Sequence, residues 1–306
     1  MPDSRQYSVL ANALNDDARQ AMASSRTMGF GGIVFDAHAP TLDLTSLSIT
    51  GRREFAHLLR SNAQTLVGIR ADIGPKGFSP GADIDRLISG LDRVLHVARD
   101  LVAGAVLIDL GPLPEVVETE PPKPKVTPEQ AGLILIPSPE EIAASAKTQS
   151  PAPTSRAADP AFIAQVNSAL LELCAIADRY QVTVALRSSL GGFASLHRAI
   201  SSVRCPWLAI DLDPIALLHD RWSIDELFAR AGNAVAHVLA RDGIRGDAGR
   251  IKSMPVGSGN VNWDELLVAL DAAGYHGWIT FDPVDLADRA GALRSGLTRL
   301  SASPRS

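Results

Sequence analysis

The chain has 306 residues, 46% of them hydrophobic and 21% charged, with a net charge of −5. That balance is ordinary for a globular protein, and the length suffices for one large domain. Acids and bases are interspersed without a basic tract or an aromatic-basic stripe, which excludes a nucleic-acid footprint, and no apolar run approaches a membrane span. The first residues, MPDSRQYSVLANALNDDAR, are too polar and too acidic to read as a signal peptide. Two cysteines, Cys174 and Cys205, stand far apart and in no metal-binding spacing. They fit a reducing compartment, with no disulfide framework and no cysteine zinc site. A cytoplasmic protein is the expectation.

In chain order, RQYSVLA is a weak candidate for a first strand. NDDARQAMASSRTMGF reads as a helix capped by Asn15 or Asp16, with Gly29 as its stop, and GIVFDA (32–37) follows as a strand. GRREFAHLLRSNA is a helix with Phe55, Leu58 and Leu59 on one face, and TLVGIRAD (65–72) a strand. ADIDRLISGLDRVLHVARDLV is apolar at 84, 87, 88, 91, 94, 95 and 98, the spacing of a core-facing helix. AVLIDL (105–110) is a buried strand. Residues 111–160 then break the rhythm, holding eleven of the twenty prolines and no aromatic residue. Such a composition does not bury enough apolar surface to offset its ordering entropy, so the segment reads as a disordered insertion suited to protein contacts.

The rhythm resumes with the helix PAFIAQVNSALLELCAIADRYQ and the strand VTVALRSS (182–189). GFASLHRAISSV is the next helix and WLAIDLDP (207–214) the next strand. SIDELFARAG opens with Ser223 as cap and Glu226 at the capping-box position, before the strand AVAHVLARD (234–242). NWDELLVALDAAGYHG, capped by Asn262, the strand WITFDP (278–283) and the helix DLADRAGALRSGLTRL complete the series. Strands apolar throughout and alternating with helices imply a parallel sheet covered on both faces. Eight such units over residues 1–306 predict one TIM (β/α)8 barrel domain, with the insertion after the fourth strand. A doubly wound open sheet is the alternative. No GxGxxG follows a strand, which removes its dinucleotide-binding version.

A barrel of this kind does its chemistry at the C-terminal ends of its strands. There the sequence places Asp36 and His38, Arg70 and Asp72, Asp109, Arg187, Asp211 and Asp213, Arg241 and Asp242, and Asp282. So much converging charge is costly to bury unpaired, so the ring predicts a polar pocket. Arg70, Arg187 and Arg241 suit the carboxylate or phosphate of a small sugar-like or anionic ligand, with Asp36, His38 and Asp109 beside them.

Several segments resemble the sugar-phosphate isomerase/epimerase family of xylose isomerase-like TIM barrels. These are MGFGGIVFD, LSITGRREFAHLLRSNAQTLVGIRAD, AIDLDP, HVLARDG and, most specifically, PVGSGNVNWDELLVALDAAGYHGWITFD. The resemblance spans nearly the whole chain outside 111–160. It implies a divalent metal (Mn²⁺, Mg²⁺ or Co²⁺) held by Glu, Asp, His and Glu on successive late strands. It also implies dimers or tetramers as a common form of assembly. Carried over by position, the pattern departs at two of four ligands. Arg187 stands where the first Glu is expected, and Leu239 where the His is expected. Asp213 (with Asp211 as alternate) matches the Asp, and Asp282 replaces the last Glu. Arg187 would repel a metal, so no cofactor is expected unless the site is rearranged around Asp213 and Asp282. The expectation is that the Arg187 guanidinium occupies the metal's place, paired with both aspartates. On this reading the barrel keeps its shape, loses metal-dependent isomerisation and acts in binding or regulation. The alternative is an active sugar or sugar-phosphate isomerase or epimerase that uses Asp213 and Asp282 without a metal, or with a rearranged one. Only His38 of seven histidines stands at a strand end, too few imidazoles for the multi-zinc endonuclease branch of the superfamily.

Overall fold

The computed structural model describes residues 5–115, 159–190, 192–220, 222–246 and 250–303. Eight parallel strands close into a barrel in chain order: β1 (Gln6–Leu10), β2 (Gly32–Asp36), β3 (Thr65–Ala71), β4 (Ala105–Asp109), β5 (Val184–Arg187), β6 (Leu208–Leu212), β7 (Val235–Ala240) and β8 (Trp278–Phe281). β1 pairs with both β2 and β8 and closes the ring, so the weak N-terminal run is a full barrel strand. The longer helices between strands are α1 (Ala18–Thr27), α2 (Ile49–Ser61), α3 (Ile84–Asp100), α4 (Pro160–Tyr180), α5 (Gly192–Val203), α6 (Ile224–Ala231) and α7 (Trp263–Ala272), and α8 (Arg289–Ser301) follows β8. The helices pack outside the sheet, and Val, Ile, Leu, Ala and Phe side chains make up most of the buried core.

Local chemistry sets the element boundaries. α6 begins at Ser223 with the complete capping box to Glu226, and Asn262 caps α7, both as the sequence predicts. α1 is capped by Asp17, whose carboxylate accepts from the Gln20 amide, and not by Asn15 or Asp16. Gly29 then ends α1 at φ +90°, a left-handed conformation that glycine adopts without strain. α3 buries Ile88, Leu91, Val94, Leu95 and Ala98, the stripe that its spacing predicts.

Three features depart from the sequence reading. α4, at 21 residues, is long and apolar enough by composition to cross a bilayer. Its apolar side is committed to the barrel instead, with Val166, Ala169, Leu170, Leu173 and Ile176 buried. Cys174 of α4 and Cys205, ahead of β6, form a disulfide with Cα atoms 6.1 Å apart. Helix packing brings together thiols that sequence separation alone keeps apart, so the two are not the reduced pair expected. The hairpin Asp242–Arg245/Ile251–Met254 extends β7 above the barrel rim. The proline-rich segment falls between β4 and α4, and its residues 116–158 lie outside the described residues.

Candidate functional site

Strand register decides which rim charges meet. Asp36 on β2 is the register partner of Arg70 on β3, and Asp109 on β4 that of Arg187 on β5. Paired positions on adjacent strands project to the same face, so each acid lies beside its base. Arg70 Nε donates to Asp36 Oδ1 at 2.5 Å, and Asn12 Nδ2 donates to the other Asp36 oxygen at 2.9 Å. Arg187 donates from Nε to Asp109 at 3.3 Å and from Nη1 to Asp211 at 2.9 Å. Asp109 also accepts from the Gly111 and Ser189 amides. His38 sits exposed, 3.1 Å from Asp43.

A second cluster forms around Arg241. Its Nη1 donates to Asp213 at 2.8 Å and its Nη2 to Asp285 at 2.8 Å, while its Nε stands 4.0 Å from Asp282. The guanidinium between Asp213 and Asp282 therefore belongs to Arg241. Arg187, expected there, lies within ion-pair distance of Asp109 and Asp211 and of no other described carboxylate. The reason is reach: Arg187 on β5 meets the acids of the two flanking strands first, whereas Arg241 emerges from the top of β7, between β6 and β8.

Burial shapes these charges. Desolvation works against the Arg187 cation, yet Asp211, Asp109 and Asp213 around it raise its pKa further above its already high value. Arg241 is raised in the same way by Asp213, Asp282 and Asp285 against its own burial. Asp211 is wholly enclosed; desolvation would lift its carboxyl, but His237 and Arg187 hold it below the ordinary value. Asp213 moves the other way. There burial, with Asp211 nearby, outweighs Arg241 and Arg187 and raises the carboxyl.

The remaining rim acids differ in role. Asp242, 1% exposed, does not face the barrel mouth. Its carboxylate accepts from the amides of Gly243, Gly257, Gly259 and Val261 at 2.8–3.2 Å and so ties down the loop before α7. Asp72 accepts from the Gly74 amide at the cleft edge.

Asp36, Arg70, Asp109 and Arg187, with His38, line an open cleft of about 500 Å³. That volume is in the range of small-molecule sites. Arg70 spends only Nε on protein, and Arg187 only Nε and Nη1, among the described residues. The cleft thus offers unspent guanidinium donors beside carboxylate acceptors, a combination suited to hydroxyl groups and to a carboxylate or phosphate.

Asp213 and Asp282 are the two carboxylates in the late-strand positions, but Arg241 lies between them. Leu239, two residues earlier on β7, presents an apolar side chain that is 1% exposed. Among the described residues no three His, Cys, Asp or Glu side chains group to hold a metal ion. This donor set does not fit a divalent cation.

Two residues from Leu239 on the same face, His237 is read from the sequence as too deep to replace a rim ligand, and its partners are not legible there. His237 bridges Asp211 and Thr280, and Thr280 meets Ser8, each contact 2.6 Å long. The signal was the period of two along β7 and β8: His237 shares its face with Leu239, and Thr280 shares its face with Asp282.

A model of the xylose isomerase-like TIM barrel family matches residues 22–302. The chain belongs to this family. Several solved structures share its fold at low identity. A xylose isomerase domain protein from Planctomyces limnophilus superposes with TM-score 0.68 at 14% identity, covering 98% of this chain and 97% of that one. D-psicose 3-epimerase from Clostridium cellulolyticum H10, solved with D-tagatose, gives 0.69 at 14%, covering 98% and 100%. The probable 3-DHS dehydratase of Bacillus anthracis gives 0.68 at 14%, also covering 98% and 100%. No curated protein matches the chain in sequence.

Proposed function

We propose that this xylose isomerase-like barrel binds a small polyhydroxylated or anionic ligand at its mouth and does not carry out metal-dependent isomerisation. The observation that carries the reading is the Arg241 guanidinium between Asp213 and Asp282. A cation built into the chain balances the two carboxylates that a metal would need, and it offers no vacant coordination position with which to polarise a carbonyl. The ligand class follows from the cleft, where the free donors of Arg70 and Arg187 alternate with the carboxylates of Asp36 and Asp109. Sugar epimerases among the structural neighbours agree with a ligand of that size.

The test is a metal count joined to a binding screen. The purified full chain, made without a metal-affinity tag, is dialysed with Mn²⁺, Mg²⁺, Co²⁺ and Zn²⁺ and its bound metal is measured by elemental analysis. D-tagatose, D-gluconate and a pentose phosphate are then screened by saturation-transfer NMR. The expected result is metal far below one per chain, with a binding signal that Arg70→Met weakens. One metal per chain, lost in Asp213→Asn, would overturn the reading.

A second reading, metal-free isomerisation or epimerisation, is favoured by the raised Asp213 carboxyl, since a perturbed carboxyl at a barrel mouth is the form an acid-base group takes. It requires deuterium uptake from D₂O at the carbon next to the carbonyl of a bound ketose, and loss of that uptake in Asp213→Asn.

A further inference from the structure

The barrel interior holds a continuous polar chain where such barrels ordinarily pack branched apolar side chains. It starts at Ser8 on β1, whose hydroxyl lies 2.6 Å from that of Thr280 on β8. Thr280 meets His237 Nε2 at 2.6 Å, and His237 Nδ1 meets Asp211 Oδ1 at 2.6 Å. The other Asp211 oxygen accepts from Arg187 Nη1 at 2.9 Å. Ser8, Thr280, His237 and Asp211 are at most 2% exposed, so no solvent or ligand reaches them. The chain ends at Arg187, whose guanidinium borders the cleft.

Burying four polar side chains is unfavourable unless every donor and acceptor is paired, and here the pairing is consistent along its length. With Nδ1–H directed at Asp211, Nε2 accepts the Thr280 hydroxyl, and Thr280 accepts the hydroxyl of Ser8. Register supplies the geometry: Ser8 is the strand partner of Thr280, and Asp211 that of His237. The far end has a specific consequence. Asp211 holds Nη1 while Asp109 holds Nε, so two edges of the Arg187 guanidinium are anchored, and Nη2 has no partner among the described residues in a side chain that lines the cleft. A donor fixed beforehand loses less side-chain entropy when a ligand binds.

We propose that Ser8, Thr280 and His237 are positioning residues: a buried strut that fixes Asp211 and, through it, the orientation of Arg187 in the cleft. The fixing of Arg187 stands whether or not a ligand is found; its use in recognition rests on the binding reading above.

The test follows the guanidinium itself. In ¹⁵N-arginine-labelled full-length protein, the Arg187 signals are assigned with Arg187→Lys. An anchored guanidinium rotates slowly about its Nε–Cζ bond and gives separate Nη lines. Thr280→Val removes the hydroxyl and keeps the shape. The expected result is coalescence of the Arg187 Nη lines and solvent exchange of its Nε–H faster by about tenfold, the scale of one hydrogen bond. The Arg241 lines should be unchanged, and Thr280→Ser should restore the pattern. Ser8→Ala, which removes only the last link, is the second variant should Thr280→Val not fold; a smaller change in the same direction supports the strut. Unchanged Arg187 lines in a folded variant would overturn the proposal. So would equal loosening of Arg187 and Arg241, which is general softening and not a directed strut. Failure of every sugar probe to bind would count against the binding reading and leave this outcome as it stands.

Discussion

Asp211 and Asp213 stand two residues apart on the same strand end, and their substitution should have opposite pH signatures. Asp211 accepts from Arg187 Nη1 and His237 Nδ1 and is fully enclosed. Asp211→Asn keeps one acceptor oxygen but turns an amide N–H₂ toward the other donor and removes the charge that balances Arg187. Breaking a buried pair in this way costs about 3–5 kcal/mol; with one hydrogen bond retained, about 3 kcal/mol is expected at pH 7. The folded Asp211 carboxyl lies below its ordinary value of 3.8. Its contribution is therefore fully present above that value and is lost only as pH falls through the folded pKa. The penalty of Asp211→Asn should be constant from pH 7 to about pH 4 and shrink below it. Asp213 is raised, so the stability its proton adds is fully present below 3.8 and is lost as pH rises through the folded pKa. Wild type gains that stability on acidification and Asp213→Asn does not, so the Asp213→Asn penalty should grow as pH falls from 7 toward 4. Equilibrium urea titrations at pH 4, 5, 6 and 7, followed by tryptophan fluorescence, measure both. A penalty under about 1 kcal/mol for Asp211→Asn, or the same pH dependence in the two variants, would refute the assignment of which carboxylate is satisfied and which is strained by burial.

Three further outcomes are expected. The Cys174–Cys205 bridge closes a 31-residue separation; its reduction should cost roughly 3–4 kcal/mol by loop entropy, and protein denatured without reductant should take up no maleimide. Gly259→Ala places a Cβ 2.2 Å from Asp242 Oδ1 and 2.6 Å from the Gly243 carbonyl. It should destabilise by about 1–3 kcal/mol and speed hydrogen exchange at residues 257–261, with exchange confined to wild-type rates as the contrary result. Finally, Arg187→Glu, Leu239→His and Arg241→Ala together place a carboxylate and an imidazole where the family resemblance expects them and free Asp213 and Asp282 of their arginine. That variant should bind close to one zinc per chain by elemental analysis; a folded variant without metal would show that these positions are not equivalent to the family's ligand positions.

The architecture was legible because it rests on local signals. Apolar strands, amphipathic helices and caps such as Ser223 and Asn262 each act within a few residues, and eight repetitions of one unit leave little topological choice. The ring of charge was legible for the same reason, since strand ends are marked by composition. Partners were not. Whether Arg187 or Arg241 lies between Asp213 and Asp282 depends on which strands flank each arginine and how far up the rim it emerges, and neither is written in a single strand. The Cys174–Cys205 pairing failed for the same cause: it is decided by where α4 lies against the chain before β6.

The interior chain shows what a finer reading could have used. In a barrel, alternation puts positions i and i−2 on the same face, one layer deeper. Two residues below Leu239 lies His237, two below Asp282 lies Thr280, and two below Asp213 lies Asp211. All three are polar at a depth where strands carry apolar side chains, and on three adjacent strands at once. An isolated buried histidine reads as a packing accident, but buried polar residues on neighbouring strands must satisfy each other, because nothing else reaches them. Leu239 marks a difference at the rim, and the polar contacts lie two residues deeper on the same strand. There His237, through Asp211, joins the sealed interior to Arg187, whose guanidinium also holds Asp109 and borders the cleft.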